Sequence, residues 1–166
     1  MGTICDDLKK RGIKRVLLWV TDGVAGVGEE VQKRFSYTKI QLCIIHKIRN
    51  ILEKVRKEDK AIILADFKQT FKLDNPNHTK EEAIKETETF VEKWSKKYPS
   101  MNRMFDKEIS EKLFAFLEFP WQIRRMLYTT NWIENLNDSI KRTTKIRRSF
   151  PTEDSALNLA HLPLFA

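Results

Sequence analysis

The sequence predicts an α/β protein that is mostly helical. Two short apolar segments, 15–20 and 40–45, have the composition and length of buried strands. A glycine-spaced loop and a helical segment lie between them, and the order strand, helix, strand indicates a βαβ unit with parallel strands. From His46 onward the apolar residues change to helical spacing, which favours helices throughout 47–127.

The individual helices are predicted from amphipathic spacing and from their start and stop residues. Residues 3–12 form an amphipathic segment that ends at Gly12, and Thr79 and Glu82 make a capping box before the segment 80–98. Breaks fall near 74–77, 98–99 and 119–120, and the last helix runs from about 131 to 144.

Composition limits the class of protein. The chain has 166 residues, 41% of them hydrophobic, which is enough for one folded domain or for one domain with an insertion. A formal net charge of +8 suits a polyanionic partner such as nucleic acid, although solvated lysine-rich faces give the same excess. Both interpretations stay open on charge alone.

Cysteine content and hydropathy indicate where the protein works. The two cysteines, Cys5 and Cys43, have neither the spacing of a disulfide framework nor that of a zinc site, so we expect a reducing compartment. No apolar stretch has the length of a membrane span, and the N-terminus lacks the apolar region of a signal peptide. The expected location is therefore the cytoplasm, without a membrane partner.

Asp22 is the first candidate for a functional residue. It follows the first predicted strand and precedes Gly23. Open α/β sheets bind their ligands at the carboxyl ends of the strands, which is where this carboxylate lies. The alternative is an ordinary Asp-Gly turn.

Glu134 is the second candidate. It lies on the last predicted helix at the edge of an apolar stripe, from which its side chain can reach back over the sheet. The alternative is a solvated surface glutamate. An aspartate at a strand end, a second strand, a helical block and a late glutamate follow the order of the last two carboxylates in RNase H-like nucleases. Such enzymes cluster carboxylates because Mg²⁺ prefers oxygen ligands.

Five segments carry a resemblance to a known family: 21–26 (TDGVAG), 41–50 (QLCIIHKIRN), 93–99 (KWSKKYP), 128–137 (YTTNWIENLN) and 148–152 (RSFPT). Together they resemble the Mutator/IS256 family of DDE transposases. The similarity runs in the same order from residue 3 to about residue 160.

The resemblance implies a partial RNase H-like core interrupted by an all-helical insertion. Residues 1–50 are then the βαβ part that carries Asp22, 51–127 are the insertion, and 128–166 return to the core with Glu134 and its basic flank. The implied activity is cleavage and strand transfer of DNA at transposon ends, with Mg²⁺ or Mn²⁺ as the cofactor. The implied DNA partners are the terminal repeats and the target, in a prokaryotic nucleoid.

The family pattern also implies roles for individual residues. Asp22 and Glu134 match the second and third acidic metal ligands. Cys43 and His46 match a Cys-x-x-His motif; with Asn131 we expect them to shape the active site, and metal binding by the Cys-His pair is the alternative. The residues expected to contact DNA are Arg49, Asn50, Lys141, Arg142, Lys145, Arg147 and Arg148; the alternative for each is a surface cation.

The first aspartate of the family pattern has no counterpart in this sequence. Asp6 and Asp7 lie on a predicted helix and do not replace it. We therefore expect a C-terminal fragment of a transposase that is inactive alone, with possible oligomerisation with the full-length enzyme. Two other classes remain open: a non-catalytic basic nucleic-acid-binding module, and an interaction remnant that acts on an intact transposase.

Overall fold

The structure, a computed structural model, describes residues 2–72, 75–128, 131–146, 152, 154 and 155. It divides into two compact units, Met1–Thr129 and Thr130–Ala166. The described helices and strands, in chain order, are α1 (Gly2–Lys10), β1 (Leu18–Thr21), α2 (Val27–Arg34), β2 (Lys39–Leu42), α3 (Ile44–Glu53), α4 (Lys60–Lys68), α5 (Lys80–Ser95), α6 (Ser100–Met104), α7 (Lys107–Leu113), α8 (Trp121–Leu127) and α9 (Asn131–Ile146). Short 3₁₀ turns span Lys57–Asp59 and Ala115–Glu118.

The described part is mostly helical and contains a small parallel sheet, as the sequence predicts. Strands β1 and β2 pair in parallel, with Leu18 opposite Lys39 and Thr21 opposite Leu42, and α2 connects them. The predicted βαβ unit is therefore confirmed. The larger RNase H-like core and the domain boundaries at 50 and 127 stay predictions.

Both strands are shorter than the apolar runs from which they are predicted. Strand β1 begins at Leu18, and the preceding Leu17 is 59% exposed. The prediction that β2 continues to residue 45 is wrong, because Ile44 begins α3 and its N–H donates to the carbonyl of Tyr128 at 3.0 Å. A buried first turn of a helix and the end of a buried strand give the same apolar run, so the sequence pattern does not separate them.

The main hydrophobic core lies among the helices of the first unit. Phe67 on α4 is 1% exposed, and its ring centroid lies 5.4 Å from those of Phe90 and Phe105 and 5.5 Å from that of Phe71. These tilted and edge-on contacts are the arrangements that aromatic rings prefer. The helical spacing in the sequence comes from this aromatic core.

A smaller core holds α1 and α2 together beside β2. It contains Cys5, Val31, Phe35 and Ile40, all at most 5% exposed. Helix α1 ends at Lys10, and Gly12 follows with φ 89°, which fits the predicted glycine stop.

A buried glutamine connects the sheet to the helices. Gln41 on β2 is fully buried; its side-chain amide donates to the carbonyls of Leu42 and Leu113 at 2.6 Å, and its Oε1 accepts from the N–H of Phe116 at 2.7 Å. The amide thus satisfies backbone groups where α7 ends and the following 3₁₀ turn begins.

Helix termini carry recognisable caps. Thr79 and Glu82 form the predicted capping box at the start of α5, and Asp106 caps α7 by accepting from the N–H of Ile109 at 2.8 Å. Among the described helices, none is long and apolar enough to span a membrane.

The guanidinium of Arg124 on α8 is surrounded by backbone carbonyls. It donates to the carbonyls of Phe119 at 2.9 Å, Leu117 at 2.8 Å, His78 at 3.1 Å and Pro76 at 3.3 Å. These bonds fasten α8 to the loop before α5.

Candidate active site

The loop after β1 presents Asp22 at the carboxyl end of the sheet. Its carboxylate is exposed and accepts a long hydrogen bond, 3.4 Å, from the hydroxyl of Thr21. Gly23 and Gly26 have φ of 97° and 77°, a left-handed conformation that favours glycine. Gly26 is also the N-cap of α2, so the loop turns directly from the strand into the helix.

Cys43 lies beside this loop, at the carboxyl end of β2. Its N–H donates to the carbonyl of Thr21 at 2.8 Å, and it is the N-cap residue of α3. The side chain is 2% exposed, and neither Cys43 nor Cys5 forms a disulfide. The two helices α2 and α3 therefore both begin at the end of the sheet where Asp22 lies.

A cleft of about 390 Å³ opens at this end of the sheet. Glycine backbone from the loop and apolar side chains of β2 form part of its wall. Its polar wall includes Asp22, Cys43, Lys47, Asn50, Glu108 and Lys112. Residues far apart in the sequence, from the first loop, from α3 and from α7, meet in one cleft.

Lys47 is a cation of this cleft that the sequence does not single out. Its ammonium is partly buried against backbone and an aromatic ring. Its Nζ donates to the carbonyl of Met104 and lies 4.6 Å from the ring centroid of Phe105. Burial lowers the pKa of this ammonium to about 8, and the nearby carboxylate of Asp106 offsets part of that shift. In the sequence it is one of 31 Lys and Arg residues; the one available signal is its position a turn after Cys43, at the start of α3.

The structure brings some of the predicted site residues together and separates others. Asp22, Cys43 and Asn50 line the same cleft. His46, half-buried, and Arg49, exposed, also lie on α3, but neither is among the residues that line it. The proposed roles of Cys43 and His46 in shaping the site, and of Arg49 and Asn50 in contacting DNA, stay predictions.

The other predicted residues belong to the second unit. Glu134 is partly buried on α9, and Lys141, Arg142 and Lys145 on the same helix are exposed, with Lys141 3.9 Å from the carboxylate of Asp138. Asn131 is the first residue of α9, and its side chain lies outside the described part, as do Arg147 and Arg148 entirely. Asp22 and Glu134 thus lie in different compact units, and their pairing stays a prediction.

Carboxylates are the groups in the chain that suit Mg²⁺ or Mn²⁺. The described residues contain no group of three or more His, Cys, Asp or Glu side chains arranged to hold a metal ion. In the first unit Asp22, Glu29 and Glu108 place carboxylates in the wall of the cleft, and Mg²⁺ prefers several oxygen ligands, substrate phosphate and water included. Metal binding at this site therefore requires ligands besides Asp22.

Comparison with known protein families identifies the class of protein to which the chain belongs. Residues 2–164 match the model of the Mutator family of transposases. The chain belongs to this family.

Individual relatives agree with this assignment. The chain is 38% identical over 154 residues to the transposase for insertion sequence element IS905 of Lactococcus lactis, covering 93% of this chain and 38% of that protein. It is also 38% identical over 152 residues to the transposase for IS1201 of Lactobacillus helveticus, covering 92% and 40%. Against the transposase for IS256 in transposon Tn4001 of Staphylococcus aureus the identity is 28% over 159 residues, covering 95% and 39%. The chain spans about two fifths of the length of these relatives.

Proposed function

We propose that this chain carries the second and third acidic metal ligands of an insertion-sequence transposase of the DDE type. The proposed activity is divalent-metal-dependent cleavage of DNA at transposon ends and transfer of the cut strand to target DNA. The observation that carries the proposal is the exposed carboxylate of Asp22 at the carboxyl end of β1, in a polar cleft of a chain that belongs to the Mutator family.

The chemistry assigns complementary roles to the two parts of the proposed site. Asp22 and Glu134 would supply carboxylate oxygens to Mg²⁺ or Mn²⁺, which would activate the attacking oxygen and stabilise the leaving one. The cleft residues would hold the phosphodiester, since two helices begin there and helix N-termini favour anions. Asn50 would add an uncharged hydrogen-bonding group to the same wall.

The exposed basic face of α9 supports a DNA partner. Lys141, Arg142 and Lys145 are all exposed on this helix, and Arg147 and Arg148 follow it in the sequence. We propose that this face contacts the DNA backbone, because phosphate contacts dominate affinity without reading the sequence. Assembly with a full-length transposase is part of the same proposal.

In the proposed site this chain would supply two of the three carboxylates, those of Asp22 and Glu134. We therefore expect the purified 166-residue chain to bind Mn²⁺ weakly and to be inactive in strand transfer. Cleavage of labelled transposon ends by this chain with Mg²⁺ or Mn²⁺ would overturn the expected inactivity.

A metal titration tests the ligand assignment. Mn²⁺ binding to the chain is measured by electron paramagnetic resonance, and Asp22→Asn and Glu134→Gln are each expected to weaken it. Glu108→Gln is the matched control, because Glu108 lines the same cleft and is not one of the proposed ligands. If Glu108→Gln weakens Mn²⁺ binding and Asp22→Asn does not, the assignment is wrong.

The same titration separates the catalytic proposal from a second candidate, a basic DNA-binding module. The exposed cations of α9 favour that candidate on their own. A non-catalytic module predicts DNA binding that depends on α9 and no Mn²⁺ binding that depends on Asp22.

A further inference from the structure

The side chain of Lys47 reaches from α3 to the segment that connects α6 and α7. It lies on α3, a turn after Cys43, and its ammonium donates to the carbonyl of Met104, the last residue of α6. The Phe105 ring, 4.6 Å from Nζ at its centroid, covers another side of the ammonium. The side chain is therefore held in place, and Lys47 is one of the residues that line the cleft with Asp22.

The ammonium of Lys47 has no close carboxylate partner among the residues that the structure describes. In the described part of the chain, no carboxylate oxygen lies within ion-pair distance of its Nζ. The carboxylate of Asp106 acts favourably on this charge, but it caps α7. Lys54, at the end of α3, acts unfavourably.

The remaining charges of the cleft do not complete the pairing. The other charged residues of its wall are Asp22, Glu29, Glu108 and Lys112, and Lys112 forms an ion pair with Glu108 on α7. Among the described residues, this partly buried ammonium thus donates to one carbonyl, whereas an ammonium has three donors.

We infer that Lys47 binds a phosphate group of DNA in the Asp22 cleft and holds that phosphate beside the carboxylate. A phosphodiester supplies a negative charge and acceptor oxygens beyond the one carbonyl that the described residues provide at Nζ. The first turns of α2 and α3 add a favourable field at the same end of the sheet. The identity of the ligand as DNA rests on the proposed function; the need for an anion rests on the surroundings of Lys47.

The direction of the Lys47 pKa agrees with an anion-binding role. A value of about 8 leaves the side chain mostly protonated at neutral pH, yet its charge is unfavourable in the protein without an anion. Substitution by methionine keeps the unbranched apolar stem over Phe105 and removes that charge. Lys47→Met is therefore expected to keep the thermal stability of the chain at pH 7 or to raise it.

The test is binding of the whole chain to a short fluorescent DNA duplex in the absence of divalent metal. Lys47→Met is expected to weaken binding roughly tenfold, the worth of one charge-assisted hydrogen bond. Lys54→Met is the matched control, with the same chemical change at the exposed end of the same helix, and a much smaller loss is expected. Equal losses in the two variants would overturn the inference.

A second measurement uses the unaltered chain and does not depend on a variant that folds. In a chain with ¹⁵N-labelled lysine, the Nζ signal of Lys47 should shift on addition of the duplex. It should also shift, at higher concentration, on addition of inorganic phosphate. An unperturbed Lys47 signal at saturating duplex, or a Lys47→Met variant that loses stability but not affinity, would make Lys47 a purely structural residue.

The two proposals fail separately. Loss of Mn²⁺ binding in Asp22→Asn and Glu134→Gln tests the metal ligands without reference to Lys47. The response of Lys47 to phosphate is measured without metal, so its outcome does not depend on whether Asp22 is a metal ligand.

Discussion

The cleft at the carboxyl end of the sheet and the aromatic core around Phe67 are built in opposite ways. The core is held by large apolar side chains that exclude water, and its aromatic rings pack at 5.4–5.8 Å between centroids. The cleft is held by backbone geometry, with glycines at positive φ, two helix N-termini and a few polar side chains. We therefore expect the packed helical region to contribute most of the stability, and the proposed binding chemistry lies where the chain is polar and exposed.

Removing Phe67 should have the largest effect on stability. Phe67→Ala leaves a cavity among three aromatic rings and should lower the free energy of unfolding by about 3–5 kcal/mol. Urea denaturation followed by circular dichroism measures this change. Ile62→Ala on the same helix, where Ile62 is 54% exposed, should cost under about 1 kcal/mol, and a similar cost for both would contradict the contrast between core and surface.

Truncating Gln41 should have an intermediate effect, because this residue joins the two regions. Gln41→Ala removes the partners of the Leu113 carbonyl and the Phe116 N–H, and should cost about 2–4 kcal/mol. The same denaturation experiment measures it, with Gln69→Ala at an exposed position as the control. Hydrogen exchange should also accelerate at Phe116, and unchanged exchange there would argue against the link.

Replacing Gly26 should have the smallest effect on stability. An added Cβ meets no atom within 4 Å, so the cost of Gly26→Ala comes only from its φ of 77° and should be about 1 kcal/mol. Val24→Ala in the same exposed loop is the control and should change stability by under about 0.5 kcal/mol. A Gly26→Ala cost as large as that of Gln41→Ala would mean that the loop contributes to the core.

The sequence predicts the helical core better than the cleft, for a physical reason. Helical spacing records which side chains are buried, and Phe67 and Phe90 follow it directly. The capping box at Thr79 and Glu82 and the parallel strand pair are also local patterns, and both are confirmed. Such features depend on neighbours in the sequence.

The parts that the sequence does not predict depend on distant contacts. The end of β2 is set by where β1 stops and by the bond from Ile44 to Tyr128, 84 residues further along the chain (128 − 44). Lys47 is distinctive only because the Met104 carbonyl and the Phe105 ring contact its ammonium. Gln41 is distinctive only because its side chain donates to the carbonyl of Leu113, where α7 ends. Asp22 is predictable as the end of a strand, and Cys43 and Asn50 are expected from the family motif, whereas Lys47, Glu108 and Lys112 in the same cleft are not.

The backbone carbonyls around Arg124 show that some cations of the chain are already occupied by the protein. A guanidinium that donates to four backbone carbonyls is already solvated by the protein and has few donors left for phosphate. Arg34, paired with Asp6 and Glu30, is in a similar position. The salt dependence of the proposed DNA binding would report the counterions that the protein displaces. Its slope should therefore follow the exposed cations, such as those of α9, and should be shallower than the 31 basic residues suggest.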